Sequence, residues 1–479
     1  MAEVIRIGAF FDGTGANKWN DELINDGSIT NVGKIYNLYN KQHEDKVKGF
    51  VEPLYEAGIG TREYTKDKPF SKEQIDEIKE AANNGEYFKK IDYYKSADMA
   101  FGLGAKEISD GALEKVVKKI ENLKNENSNS EIVVDVFGFS RGAAISRDFI
   151  NSFNESFKDD LNVKISFVGL YDTVTSVGTK HNVYNGDLNL NLDSQSAEKI
   201  VHFTAGNERR YNFPLHSLMD EYKESASNII EHKVLGTHGN VGGGDPYFYK
   251  DTIIKDYGTK EYSKDSSVDK EYIKNTIEQT AAQKGYDIQI RDIESLNTFQ
   301  YIYTQKVDKT NELSIAHLHA MLNIMSESKI ELGNYKELGK DYQVSDTFKE
   351  YTNTIVNFEN VDRFENDFRQ SIGASGGSIT LNIDEIKQDG LMSLVNVNRE
   401  QREIFANEPD KAFYYSLEDF IFESLGENSR FETKEEFMDY AKDSDVKKEF
   451  EDFKQKLEKQ NSKEQEKDDQ TNDNLNRQR

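Results

Sequence analysis

The run Gly138-Phe139-Ser140-Arg141-Gly142 constrains this chain more than any other feature. It follows a short apolar segment, Ile132 to Phe137, and leads into an Ala-rich segment with helical spacing. A serine between two glycines, where a buried strand gives way to a helix, is the setting of a nucleophile elbow. Gly138 and Gly142 lack Cβ atoms, so the backbone can turn tightly and pack closely. Such a turn lifts the Ser140 hydroxyl out of the sheet. It also aims the Arg141 N–H, at the start of a helix, toward a developing oxyanion. A bare pattern of this length also describes a Gly-rich structural turn; the flanking strand and helix favour a serine hydrolase.

The rest of the chain supplies a sheet for that turn. Five apolar, β-branched-rich runs read as strands: Val4 to Phe11, Gly49 to Tyr55, Ile132 to Phe137, Val163 to Tyr171 and Ile230 to Leu235. Several are apolar nearly throughout, as strands covered on both faces are. Between two of them, Leu113, Val116, Val117, Ile120 and Leu123 fall on one helical face. After Ser140, Ile145, Phe149 and Phe153 recur every four positions. Strands alternating with helices imply an α/β fold: a mostly parallel sheet with helices on both faces. Chemistry in such sheets sits at the carboxyl ends of the strands.

Residues 246–339 read as an insertion or helical cap, polar and lysine-rich first and then helical from Leu313 to Met325. The catalytic domain is expected over 1–345, and a mainly helical accessory region over 346–459. Within that region lie the aromatics Phe405, Phe413, Tyr414, Tyr415, Phe420 and Phe422, and a stripe Val446, Phe450, Phe453, Leu457. Ser371 to Ser378 reads as a Gly/Ser-rich loop. Residues 460–479 contain almost nothing apolar and are expected to be disordered.

Composition narrows the function. The net charge of −26 argues against nucleic acid as a partner, since phosphate binding needs clustered Lys and Arg. The absence of cysteine removes disulfides, thiolate nucleophiles and Cys-ligated metal sites. No cofactor or metal is called for. The start MAEVIRIGAFFDGTG lacks the basic and apolar regions of a signal peptide, and no stretch approaches the roughly 20 apolar residues of a membrane span. Synthesis in the cytoplasm is expected, with export by some route other than general secretion.

A serine needs a base, usually a histidine oriented by a carboxylate. Of the eight histidines, His238 stands apart. It lies just past the strand end Val234-Leu235 and opens the Gly-rich run His238 to Gly244. His43 precedes the serine in a Lys/Glu-rich stretch, and His181, His202 and His216 have no strand end before them. His232 lies inside a strand, and His317 and His319 lie in a helical pattern that suits a core or surface role. Asp172 ends the strand Ile165 to Leu170 and is the leading acid, because a carboxylate in apolar sequence is expensive unless paired. Asp148, two helical turns after Ser140, is the alternative acid. A second oxyanion donor is expected from Gly13 or Thr14, in the strand-end loop Phe10 to Gly15. Asp12 there reads equally as an ordinary turn residue. Gly242-Gly243-Gly244 lacks the Lys-Ser or Lys-Thr of a phosphate cradle.

Taken together these blocks resemble the α/β-hydrolase domain of type VI secretion phospholipase effectors. The matching segments are FFDGTG (10–15), GIGT (58–61), FGLG (101–104), GFSRGAA (138–144), GLYDTVTSVG (169–178), HFTAGNERR (202–210) and GTHGNVGGG (236–244). The resemblance covers roughly residues 4 to 330. It implies a Ser-Asp-His esterase acting on glycerophospholipid acyl esters, with Ser140 as nucleophile and His238 as base. It further implies delivery into competing bacteria by a contractile machine, a phospholipid membrane as substrate, a secretion-spike partner and a cognate immunity protein. One departure stands out: Gly239-Asn240 replaces the Ser-Asp that usually follows the histidine. Two rival readings share the same residues, a soluble carboxylesterase with a shallow pocket and a hydrolase-fold binding or adaptor protein.

Overall fold

Strand β1, Val4–Phe11, sets the logic of the fold by alternation. Ile5, Ile7, Ala9 and Phe11 enter one core, and Phe10 enters another on the opposite face. The computed structural model describes residues 4–372 except 84–86, 96–101, 103, 127–129, 176–187, 209–212, 214, 220–225, 264–265, 294–296, 336–338, 366 and 369–371. The expectations for 373–479, including the Gly/Ser-rich loop, the aromatic cluster, the last helical stripe and the tail, lie outside the described residues.

Helices α1 (Lys18–Ile24) and α2 (Asn31–Glu44) lead from β1 to β2 (Leu54–Glu56). Helices α3 (Lys72–Asn83) and α4 (Ala105–Glu126) precede β3 (Glu131–Phe139). Then come α5 (Arg141–Phe157), β4 (Val163–Tyr171), β5 (Lys199–Ala205) and β6 (Ile229–Val234). The six strands form one parallel sheet in the order β2-β1-β3-β4-β5-β6. Strand order reverses at β1, with β2 on one side and β3 on the other. In open α/β sheets a site is expected at such a switch point, at the carboxyl ends of β1 and β3.

One face of the sheet is packed by α4 and α5, through residues such as Ile108, Val116, Ile145, Phe149 and Phe153. The stripe on α4 is rotated from the expected one. Ala105, Ile108, Ala112, Val116 and Ile120 are buried, whereas Leu113 and Leu123 are only partly covered. The other face is packed by α2 and by two later helices, α8 (Glu312–Glu327) and α9 (Thr347–Val356), through Ile35, Leu38, Leu318, Met321, Tyr351 and Ile355.

Two expectations change here. The segment expected to be a helical cap is mainly an antiparallel sheet. Strands β7 (Phe248–Glu261), β8 (Asp287–Ile293) and β9 (Thr298–Thr310) pair in the order β7-β9-β8, with helix α7 (Ser267–Lys284) inserted. Its Ile, Tyr and Thr positions carry strand preference that lysines interrupt in the sequence. The helix at Leu313 to Met325 belongs to the main core instead, because it is apolar nearly all round and buried along its length. The core also continues past the boundary expected near 345: Phe348, Tyr351, Ile355, Phe364, Phe368 and Ile372 join the cluster that contains Phe10 and Phe137.

Candidate active site

Ser140 sits between β3 and α5 with φ 58° and ψ −129°, a left-handed conformation that a side chain adopts at a cost. The residues two before and two after it must be glycine. A Cβ on Gly138 would lie 2.2 Å from Ser146 Oγ, and one on Gly142 would lie 2.3 Å from the carbonyl oxygens of Phe11 and Asp12. The helix thus starts hard against the end of β1. Ser140 N–H donates to the Tyr171 carbonyl at 3.0 Å, and Val174 N–H donates back to the Ser140 carbonyl at 3.3 Å. The serine turn is locked to the end of β4.

Asp172 is the first residue beyond β4 and is fully buried. It too has positive φ, 39°. Its Oδ1 accepts the Ala205 N–H at 2.8 Å, from the end of β5. Its Oδ2 lies 2.7 Å from His238 Nδ1. His238 opens a short helix, α6 (His238–Gly242), just after β6. Its ring lies 4.6 Å from that of Phe139, the residue before the serine, and 4.9 Å from that of Phe213. The ends of β3, β4 and β6 thereby bring Ser140, Asp172 and His238 to one place. With Nδ1 on the carboxylate, Nε2 is the ring nitrogen suited to proton exchange with a serine.

The alternative acid points elsewhere. Asp148 is buried on α5, but Oδ2 accepts from Lys106 Nζ at 2.9 Å and from Ser109 Oγ at 2.6 Å, and Oδ1 accepts from Asn189 N–H at 2.8 Å. It ties α5 to α4.

The loop after β1 separates the two expected donors, Gly13 and Thr14. Gly13 N–H donates to Asp12 Oδ1 at 2.8 Å, so that donor is spent on its own loop. Asp12 is buried, and its carboxylate also accepts from Thr30 Oγ1 at 2.7 Å and from the Tyr55 hydroxyl at 2.5 Å. Burial raises the Asp12 carboxyl above its ordinary range, against the lowering pull of the bonds from Tyr55, Thr30 and Gly13. The carboxylate is therefore a loop clamp. Thr14, the other expected donor, faces the serine turn: Arg141 Nη1 donates to Thr14 Oγ1 at 3.0 Å. Burial lowers the Arg141 guanidinium to about 10. The GIGT block buttresses this loop, with Gly15 N–H on the Ile59 carbonyl and Gly58 N–H on the Ala16 carbonyl.

Three residues escaped the sequence reading. His202 lies inside β5 rather than in a loop. Its Nε2 accepts the Thr173 N–H at 3.1 Å, which fixes the turn after Asp172, and Nδ1 faces Glu231 Oε2 at 2.9 Å. Burial pushes the Glu231 carboxyl up, but His202, Ser217 and the Leu218 N–H outweigh it and bring it down to about 2. Glu208, also buried, accepts the His238 N–H at 3.0 Å. His202 and Glu208 belong to the HFTAGNERR block, the signal that pointed to them. The departure at Gly239-Asn240 is likewise explained: Asn240 Oδ1 accepts from Thr237 N–H at 3.0 Å and caps α6, a task open to an amide or a carboxylate.

The family model described as the catalytic domain of type VI secretion, Tle1-like phospholipase effectors matches residues 6–156 and 147–250, together just over half of the chain. No curated protein matches. Among solved structures, a Tle1 effector bound to the VgrG spike of the type VI secretion system aligns over 80% of this chain and 83% of its own, at 17% identity and TM-score 0.44. An uncharacterized protein from Pseudomonas aeruginosa aligns over 91% of this chain and 63% of its own, at 17% identity and TM-score 0.40.

Proposed function

Because this chain belongs to the Tle1-like phospholipase effectors of type VI secretion, we propose that it is a serine esterase that cleaves the acyl esters of glycerophospholipids. The observation that carries the reading is the 2.7 Å contact between Asp172 Oδ2 and His238 Nδ1, beside a serine held in a left-handed turn. In this reading Ser140 Oγ attacks the ester carbonyl carbon as its proton passes to His238 Nε2. Asp172 holds the ring and stabilises its charged form. The N–H groups of Arg141 and Thr14 receive the developing oxyanion. Collapse breaks the ester C–O bond, and His238 returns the proton to the departing lysophospholipid oxygen. Water then attacks the acyl-enzyme, with His238 again taking a proton, and the fatty acid leaves. No metal or cofactor enters these steps.

The family also supports delivery through the secretion spike into competing cells, where membrane phospholipid is the target and a cognate immunity protein guards the producer. Among the described residues no helix is long and apolar enough to cross a membrane. The test is release of fatty acid from mixed phospholipid vesicles by the purified chain and by Ser140→Ala. Release by the first alone supports the reading. Activity confined to a short soluble ester removes the lipid substrate, and equal activity of the variant removes the serine mechanism.

A further inference from the structure

The segment carrying His238 runs beyond the end of the sheet, yet its backbone is held at each step by a side chain. Leu235 N–H donates to the Tyr351 hydroxyl at 3.0 Å. Gly236 N–H donates to Asn207 Oδ1 at 2.8 Å, Thr237 N–H to Asn240 Oδ1 at 3.0 Å, and His238 N–H to Glu208 Oε2 at 3.0 Å. Behind the first of these stands His317 on α8. Its Nε2 lies 2.7 Å from the Tyr351 hydroxyl, and its Nδ1 lies 2.8 Å from the Asn240 carbonyl.

A carbonyl oxygen only accepts, so Nδ1 carries the proton. In the neutral ring Nε2 then accepts, and Tyr351 donates to it while accepting from Leu235. The bonds run in one direction: Leu235 N–H to Tyr351, Tyr351 to His317, His317 to Asn240. They bridge the two ends of the segment that contains His238. Leu235, Asn240, His317 and Tyr351 are all buried, so none of these bonds is readily replaced by water.

We propose that His317 and Tyr351 are positioning residues for His238, so that the catalytic unit extends through α9, well beyond residue 250 where the family match ends. The inference rests on the reading of His238 as the base. Helix α6 has five residues, too few to hold its own orientation, so external bonds must set it. A general base must lie within hydrogen-bond reach of its proton donor. A histidine satisfied in a core is common. Here both of its bonds end on the base-bearing segment or on a group bonded to it.

The test uses the full chain, with kcat and KM measured on a short soluble ester for wild type, Tyr351→Phe, His317→Leu and His317→Asn. Thr352→Val is the control, since that buried hydroxyl on α9 has no hydrogen-bond partner among the described residues. Hydrogen exchange of the 235–240 backbone is followed in parallel. Tyr351→Phe and His317→Leu are expected to lower kcat roughly tenfold with little change in KM, and to speed exchange in 235–240. His317→Asn keeps an N–H donor near the Asn240 carbonyl and recovers most of the rate. Unchanged kcat in the first two variants, or an equal loss in Thr352→Val, overturns the proposal. A wild type inactive on every ester defeats the base assignment instead, and exchange in 235–240 still decides whether these side chains hold the segment.

Discussion

The two sheets of this chain are built by different rules. The six-stranded sheet is parallel, covered on both faces, and carries its unusual residues at its carboxyl edge. There Ser140 and Asp172 hold positive φ, and hydrogen bonds tie Ser140 to the end of β4 and Asp172 to β5. The three-stranded sheet is antiparallel and leaves the main body and returns to it at one point, where Phe248 pairs with Thr310. Its own small core gathers Ile277, Ala281, Phe299 and Tyr303; Val268 and Tyr272 on α7 are exposed, as is Phe248 at the first position of β7. At Ser140 and Asp172 the positive φ is held by surroundings that over-determine the backbone. In the proposed reading the chemistry belongs to the first sheet, and the second should be separable from it.

The largest expected effect lies on the carboxyl edge. Asp172→Asn should lower ester turnover by about 10³ to 10⁴, because the amide cannot stabilise a charged His238 ring. A turnover within about tenfold of wild type would move the acid elsewhere.

Next in size is Phe299→Ala in the small sheet, expected to cost about 3–5 kcal/mol of local stability. Hydrogen exchange should accelerate in β7–β9 alone while turnover on a soluble ester persists. If turnover falls with it, the two sheets are not independent.

A third expectation concerns acid. Burial lowers His317 from the usual 6.5 to about 4. The unfolded chain therefore binds a proton at that position before the folded one does. Its contribution is complete above pH about 6.5 and lost as pH falls toward about 4, up to about 3 kcal/mol. Denaturant unfolding across that window should show a slope that His317→Asn reduces, and parallel slopes would refute it. The smallest effect is at Asp148: Asp148→Asn should cost about 1–2 kcal/mol of stability and leave kcat within about twofold of wild type.

What the sequence revealed follows the same division. β1 and β4 were legible end to end, because enough apolar residues alternate or run together along them despite Arg6, Lys164 and Ser166. β5 was not, since Lys199 and His202 break its apolar run; His202 is accommodated by Glu231 directly opposite on β6. Ser140, Asp172 and His238 were legible as candidates because strand ends and glycines mark them. The choice between Asp172 and Asp148 was not, since the partners of Asp148 (Lys106, Ser109 and Asn189) lie some 40 residues away in sequence. The engagement of the Gly13 N–H by its neighbour's carboxylate is a matter of side-chain direction, which spacing does not encode. The antiparallel sheet was hidden by lysines spread along its strands, and the role of Tyr351 by its distance from the segment it holds.

The most direct test of the central claim is covalent trapping by a fluorophosphonate, with the modified residue located by mass spectrometry. An activated serine in a Ser-His-Asp arrangement predicts stoichiometric modification of Ser140, lost in His238→Ala and retained in Asp148→Asn. No modification of Ser140, or modification that survives His238→Ala undiminished, would contradict it.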